Sequence, residues 1–362
     1  MKKICTVGSA THDIFMMYEG AETMRLHQKK SSCSYLLLEQ GAKIDIPSIH
    51  TATGGGATNV AVGLSRLGFS VETFFKTGHD EAETFIKKEL AHEKVSTTYC
   101  TVADKERTAL TIIIPSREHD HVALCYRAAN RQQNKEDFPL SLLNSIDLLF
   151  LGPLNGQSQQ LFPYLAQHVK NAGVTLAMNP SVEQLNDASD DFIQALRSVD
   201  ILILNKRESG YLMKALLKET RQPQFSSEQV KKPSLFSPYL AFDDLLFTLR
   251  DVIKKTLALG PQILVFTNGS EGVYVVTETT IYFHESIPSF PLYSLGAGDA
   301  FSSGFIGGLL KDLTLQEALR LGVLNAASVI QYPDAKKGLL SFDRLEESAN
   351  RLNKTLLSEY SL

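Results

Sequence analysis

Cysteine is scarce in these 362 residues: Cys5, Cys33, Cys100 and Cys125 are widely spaced, and none belongs to a CxxC pair. That spacing suits neither a disulfide frame nor a zinc site, and reads as reduced, buried thiols of a cytosolic protein. No apolar run reaches the roughly 18 residues that a membrane helix needs. The basic start Met1-Lys2-Lys3 lacks the apolar stretch of a signal peptide, so a cytoplasmic location without membrane contact is expected. Positive charge is not in surplus either. Lys and Arg number 36 against 40 Asp and Glu, a net charge of −4 with a pI near 6.2, which excludes the basic patch of a nucleic-acid binder. The standard nucleotide fingerprints are also missing. GxxxxGK[ST] does not occur, and neither glycine cluster completes GxGxxG, which sets aside a Rossmann dehydrogenase.

What is present is a chain with 43% hydrophobic residues, long enough to bury a large core. Near-continuous apolar runs at residues 148–151, 175–178, 201–204 and 263–266 read as parallel strands covered on both faces. Helical segments at 161–170, 192–199 and 245–259 supply the crossovers, and residues 3–8 form the opening strand. The fold class is therefore α/β, a doubly wound sheet. Two regions break this rhythm. Residues 15–53 carry short β-like runs at 34–38 and 42–46 between polar stretches. Residues 101–127 place runs at 109–114 and 122–126 around a polar turn, which predicts a hairpin. The Pro-, Ser- and Lys-bearing stretch 218–238 reads as a surface insertion.

Two glycine-rich segments carry the chemistry. In Gly296-Ala297-Gly298-Asp299, the apolar Phe301, Phe305 and Leu309 that follow mark one face of a helix. The tight turn directs backbone N–H groups and the positive end of the helix dipole to one point, a site for an anion. Asp299 at its mouth is either a base that takes a proton from an attacking hydroxyl or a helix cap. In Thr53-Gly54-Gly55-Gly56-Ala57-Thr58-Asn59, the glycines allow close approach of a ligand and Asn59 offers a donor and an acceptor, which suits a sugar; a plain loop-to-helix turn is the alternative. Val60, Leu64 and Leu67 give this helix its apolar stripe, and Gly68 its C′ position.

Taken together, the Gly-Gly-x-x-x-Asn and Gly-Ala-Gly-Asp motifs, in this order and at this separation, resemble the ribokinase/PfkB family of ATP-dependent sugar and nucleoside kinases over nearly the whole chain. The resemblance implies a ribokinase-like three-layer α/β/α fold with a small β-sheet lid. Residues 1–14, 54–100 and 128–362 would form the core, and residues 15–53 and 101–127 the lid, which can also serve as a homodimer surface. It implies ATP and Mg²⁺ as cofactors, with Asp299 as base and Gly296, Ala297 and Gly298 as the anion hole. Asp13, Gly55, Gly56 and Asn59 would bind substrate. Asn205, Thr267 and Gly269 would lie on the nucleotide side and Asn325 on the helix beside the adenine. Glu208 would act near Mg²⁺ and phosphate, through water. Asn179-Pro180-Ser181 resembles a turn common in these kinases and is given no role.

One departure bears on cofactors. The carboxylate that often holds a monovalent cation before the anion hole is replaced in Tyr293-Ser294-Leu295, so little K⁺ dependence is expected. His119 and His121 have metal-like spacing but lack a third ligand. The pairs Lys87-Lys88 and Lys336-Lys337 read as solvated charges rather than phosphate clamps. The expected activity is phosphorylation of a hydroxyl, primary by preference, on a small sugar such as ribose or fructose. A nucleoside kinase of the same fold is the alternative, for which Phe15, Tyr18, Tyr35 and Tyr126 could stack on a base. A non-catalytic binding protein on a kinase scaffold is the rival from another class.

Overall fold

The computed structural model describes residues 1–18, 20, 22–28, 31–116, 120–217, 240–242, 245–289 and 292–362. The expected insertion at 218–238 and the tip of the 116–121 turn with His119 lie outside them.

A ten-stranded sheet forms the middle layer. In spatial order it starts with Val95–Ser96, Ser70–Phe74, Lys3–Val7, Leu148–Leu151, Thr175–Met178, Ile201–Asn205 and Ile263–Thr267, all parallel. Val273–Val276, Thr280–His284 and Leu357–Ser361 continue it antiparallel. Successive strand residues face opposite sides. Leu149, Leu151, Leu202 and Leu204 therefore join a core beneath the helices Leu161–Ala172, Lys206–Leu216 and Leu249–Leu257. Leu148, Phe150, Ile201 and Ile203 join a second core with Val60, Leu64, Phe301, Phe305 and Leu319, under the helices Gly56–Arg66, Ala297–Leu310 and Leu315–Val329. This is the three-layer doubly wound architecture the apolar runs predict.

The small sheet is four-stranded, ordered His121–Tyr126, Leu110–Pro115, Thr11–Met17, Ser48–Gly54. The predicted hairpin is present, with Leu110 opposite Tyr126. Several boundaries differ from the sequence reading. The Thr11–Met17 strand belongs to the small sheet from its first residue, not from residue 15, because its whole length pairs with Ser48–Gly54. Thr101–Val102 pairs instead with Lys76–Thr77, on the core side. Residues 42–46 form no strand; residues 31–37 pair with Glu22–Gln28. The segment expected as a helix from 245 opens with the strand Leu245–Phe247. Its helix starts at Leu249, where Thr248 and Asp251 close a capping box. Cys5, Cys100 and Cys125 are free thiols. Among the described residues no helix is long and apolar enough to cross a membrane.

Candidate active site

Loops at the carboxyl ends of parallel strands are where open α/β sheets bind ligands, and the motif residues gather at that end. Asp299 is the third residue of the Ala297–Leu310 helix. Gly296 occupies the N-cap with φ 76°, and no side chain caps the turn. A Cβ at Gly296 would come within 2.4 Å of the Ala335 Cβ. The first intrahelical bond runs from Ala300 N–H to the Gly296 carbonyl at 2.9 Å. The amides of Gly298 and Asp299 precede it and have no carbonyl of their own helix to bond. A Cβ at Gly298 would meet nothing within 4 Å, so this end of the helix opens onto space. Such a mouth can hold an anion.

The cap reading of Asp299 does not hold. Its Oδ2 accepts a hydrogen bond from Asn59 Nδ2 at 2.8 Å, which ties the two glycine-rich helices together. Burial pushes the carboxyl up to about 6; Asn59 and the Lys336 ammonium pull the other way, and the charge of Asp13 adds to the rise. A carboxylate with that pKa is ionised at neutral pH yet still able to take a proton, which suits a general base.

The other half of the mouth comes from the first turn. Gly55 is the N-cap of the Gly56–Arg66 helix with φ 97°, and a Cβ there would come within 2.4 Å of the Ser9 carbonyl oxygen. A Cβ at Gly56 would lie 3.7 Å from Asp299 Oδ1. Asn59 is buried, and its Oδ1 has no hydrogen-bond partner. Strand pairing sets Thr11 opposite Gly54 and so brings Asp13 to the same place. Asp13 is buried too, and Thr11 Oγ1 donates to its Oδ1 at 2.7 Å. Burial raises its pKa, against the hydrogen bond from Thr11 and the charge of Lys336.

Asn205 and Thr267, expected to face the nucleotide, are register partners at the ends of adjacent strands, and Gly269 opens an exposed turn just beyond. Asn205 caps the next helix: its Oδ1 accepts from Glu208 N–H at 2.9 Å, and its own N–H donates to Glu208 Oε2 at 2.8 Å. Asn179 Nδ2 donates to the same oxygen at 3.1 Å. Burial pushes Glu208 up to about 7, and the charge of Asp299 contributes to the rise. Among the described residues no three His, Cys, Asp or Glu side chains converge as a metal site. Glu208 thus fits a Mg²⁺ that takes most of its ligands from phosphate and water.

Asn325 is a correction. It is fully buried, and its Nδ2 donates to the Ala300 carbonyl at 2.9 Å and to Ser303 Oγ at 3.2 Å. Its Oδ1 accepts from Leu340 N–H at 3.0 Å. The amide is spent on holding three segments of the core together and offers nothing to a nucleotide. Two residues of the site escape the sequence reading. Asn179 orients Glu208. Lys336 is not a solvated charge: its Nζ donates to Thr53 Oγ1 at 2.8 Å and to Thr58 Oγ1 at 3.0 Å. In sequence it is one of a lysine pair, and nothing there separates it from the exposed Lys337.

The chain as a whole is similar to known proteins. A family model described as "pfkB family carbohydrate kinase" covers residues 1–341. The chain belongs to this family. It is a kinase acting on a sugar or nucleoside hydroxyl. A 2-dehydro-3-deoxygluconokinase of Bacillus subtilis is 24% identical over 327 residues, 87% of this chain and 92% of that one. Among solved structures, the Methanocaldococcus jannaschii nucleoside kinase superposes with a TM-score of 0.74 at 17% identity, covering 97% of this chain and 99% of that one. The Arabidopsis thaliana ribokinase complexed with ribose and ATP gives 0.71 at 18%, covering 96% and 98%. These likenesses confirm the fold that the motifs implied.

Proposed function

We propose that this pfkB-family kinase transfers the γ-phosphoryl group of ATP to a hydroxyl of a small sugar, with Asp299 as general base. The observation that carries this is the placement of Asp299: a partly buried carboxylate with pKa about 6, held by Asn59 beside open helix-terminal amides. In the proposed reaction Asp299 takes the proton of the attacking hydroxyl as its oxygen bonds to phosphorus and the bond to the leaving diphosphate oxygen breaks. The amides of Gly296, Ala297 and Gly298 stabilise charge on the transferred group. Asp13 and the free Oδ1 of Asn59 hold substrate hydroxyls, and the small sheet, acting as a lid, excludes the water that would compete with them. Mg²⁺ brought with ATP would neutralise phosphate charge beside Glu208, while Asn205, Thr267 and Gly269 line the nucleotide side. A protein that only binds has no use for a poised proton acceptor at such a mouth.

For the substrate class, Phe15 is informative. It lies two residues from Asp13 on the same strand face, fully buried, with its ring 5.6 Å from that of His50. It is therefore committed to His50, which removes it from the four aromatics that could stack on a nucleobase. The deciding experiment is an ATP-consumption screen over pentoses, hexoses, ketoses, acidic sugars and nucleosides. Turnover with sugars and none with nucleosides is expected; turnover confined to nucleosides would replace the sugar reading.

A further inference from the structure

Lys336 belongs to neither glycine-rich motif, yet its three ammonium protons all go to the first of them. Nζ donates to the Thr53 carbonyl, to Thr53 Oγ1 and to Thr58 Oγ1. The loop that carries it is fixed on several sides. Arg66 Nη1 donates to the carbonyls of Lys336 and Leu339 at 2.7 and 2.8 Å, while Arg66 Nε and Nη2 grip the Glu93 carboxylate at 2.9 and 2.6 Å. Asp334 Oδ1 accepts from the N–H groups of Lys336 and Lys337 at 2.9 and 2.8 Å. Asp334 Oδ2 meets His50 Nε2 of the small sheet at 3.2 Å. Ala335 abuts Gly296, so the same loop supports the helix that carries Asp299.

Enclosing an ammonium costs several kcal/mol unless opposite charge offsets it. The three oxygens that Nζ touches are neutral. The compensation comes from charges at longer range: Asp13, Asp299, Asp334 and Glu93 all act on it. Conversely, Asp13 and Asp299 face one mouth and repel each other. Two carboxylates so placed raise each other's pKa, and a cation nearby lowers both. The groups facing Asp299 are Asn59 from the Gly56–Arg66 helix, Asp13 from the small sheet, Glu208 from the Lys206–Leu216 helix and Lys336 from the loop. Of these only Lys336 is positive.

We infer that Lys336 is a positioning residue for phosphoryl transfer: its fixed charge, seated behind the first glycine-rich turn, keeps Asp13 and Asp299 ionised together. This rests on Asp299 being the base. Burial pulls Lys336 down to about 8, so it still carries its charge over the range in which Asp299 titrates.

The test is kcat/KM against pH for the wild type, Lys336→Arg and Lys336→Gln, with circular dichroism to show that each variant is folded. Lys336→Arg, which keeps a positive charge at this position, should leave the acidic limb of the wild type in place. Lys336→Gln should have its acidic limb moved up by about one unit as Asp299 loses its positive neighbour, a loss of about twofold at pH 7 that grows to about tenfold at pH 5. An acidic limb unmoved in Lys336→Gln would reduce Lys336 to a packing role. So would an acidic limb moved up as far in Lys336→Arg as in Lys336→Gln, and Lys336→Met takes the place of Lys336→Gln if that variant does not fold. Asp299→Asn separates the two claims: near-normal turnover there refutes the base, whereas its loss together with unmoved Lys336 limbs refutes only this inference.

Discussion

In the first glycine-rich turn every glycine is pressed against the chain itself. A Cβ at Gly54 would strike Asp13, at Gly55 the Ser9 carbonyl, and at Gly56 the ring of Pro153. In the second turn only Gly296 is confined, against Ala335, and Gly298 faces open space. In sequence the two segments look alike, and the same property of glycine, backbone free to come close, accounts for both. The first uses it to bring its own strand, loop and helix together around Asp13 and Asn59. The second uses it at Gly298 to leave room for something the chain does not supply. One turn builds the site, and the other receives the ligand.

The largest effect expected from this contrast is on stability. Gly55→Ala places a side chain at φ 97°, within 2.4 Å of a backbone oxygen. Backbone strain alone costs about 1–3 kcal/mol, so the melting temperature should fall by several degrees. Gly298→Ala should leave melting nearly unchanged and instead lower kcat/KM for ATP by crowding the phosphate. Equal melting temperatures for the two variants would erase the distinction.

A second pair sharpens the division of labour inside the first turn. Asp13→Ala and Asn59→Ala each leave partners unsatisfied in a closed site, at about 1–3 kcal/mol. The Asp13 loss should fall on KM for the sugar. The Asn59 loss should fall also on kcat, with the acidic limb raised, because Asn59 donates to Asp299. Neither should change KM for ATP, and a rise there in both would put these residues on the wrong side of the site.

The smallest effect concerns monovalent cations beside the second turn. With Tyr293 and Leu295 in that loop, K⁺ finds no side-chain carboxylate there and should stimulate little. Initial rates in potassium, sodium and a bulky organic cation at constant ionic strength test this, since general screening is then fixed. A several-fold stimulation specific to potassium would show that the loop builds a cation site from other groups.

The contrast between the turns also shows what a sequence discloses. Buried parallel strands are legible because both faces must be apolar, as at Leu148–Leu151, and the helix after the first turn is legible from Val60, Leu64 and Leu67. Gly68, with φ 89°, sits at the helix end where its type predicts. Roles set by tertiary pairing are not legible. Lys336 and Lys337 are neighbours of one type, and only the packing of their loop against Thr53 and Thr58 makes one internal. Asn325 looks free in sequence and is consumed by the Ala300 carbonyl and Leu340 N–H. Asn59 could be assigned to substrate from its motif, but its bond to Asp299 spans 240 residues. Residues 42–46 show why short β-like runs mislead. They have strand composition but pair with no strand among the described residues, and the strand instead begins at Ser48, where Thr11–Met17 offers an edge.

The account turns on one carboxylate where the two turns meet, and kcat/KM against pH for the wild type and Asp299→Asn addresses it directly. The wild type should show an acidic limb near about 6. Asp299→Asn, similar in size but unable to take the proton, should lack that limb and lose about 10²–10⁴-fold in kcat, with both KM values nearly unchanged. Near-normal turnover by Asp299→Asn, with the limb still in place, would contradict the assignment of Asp299 as the base.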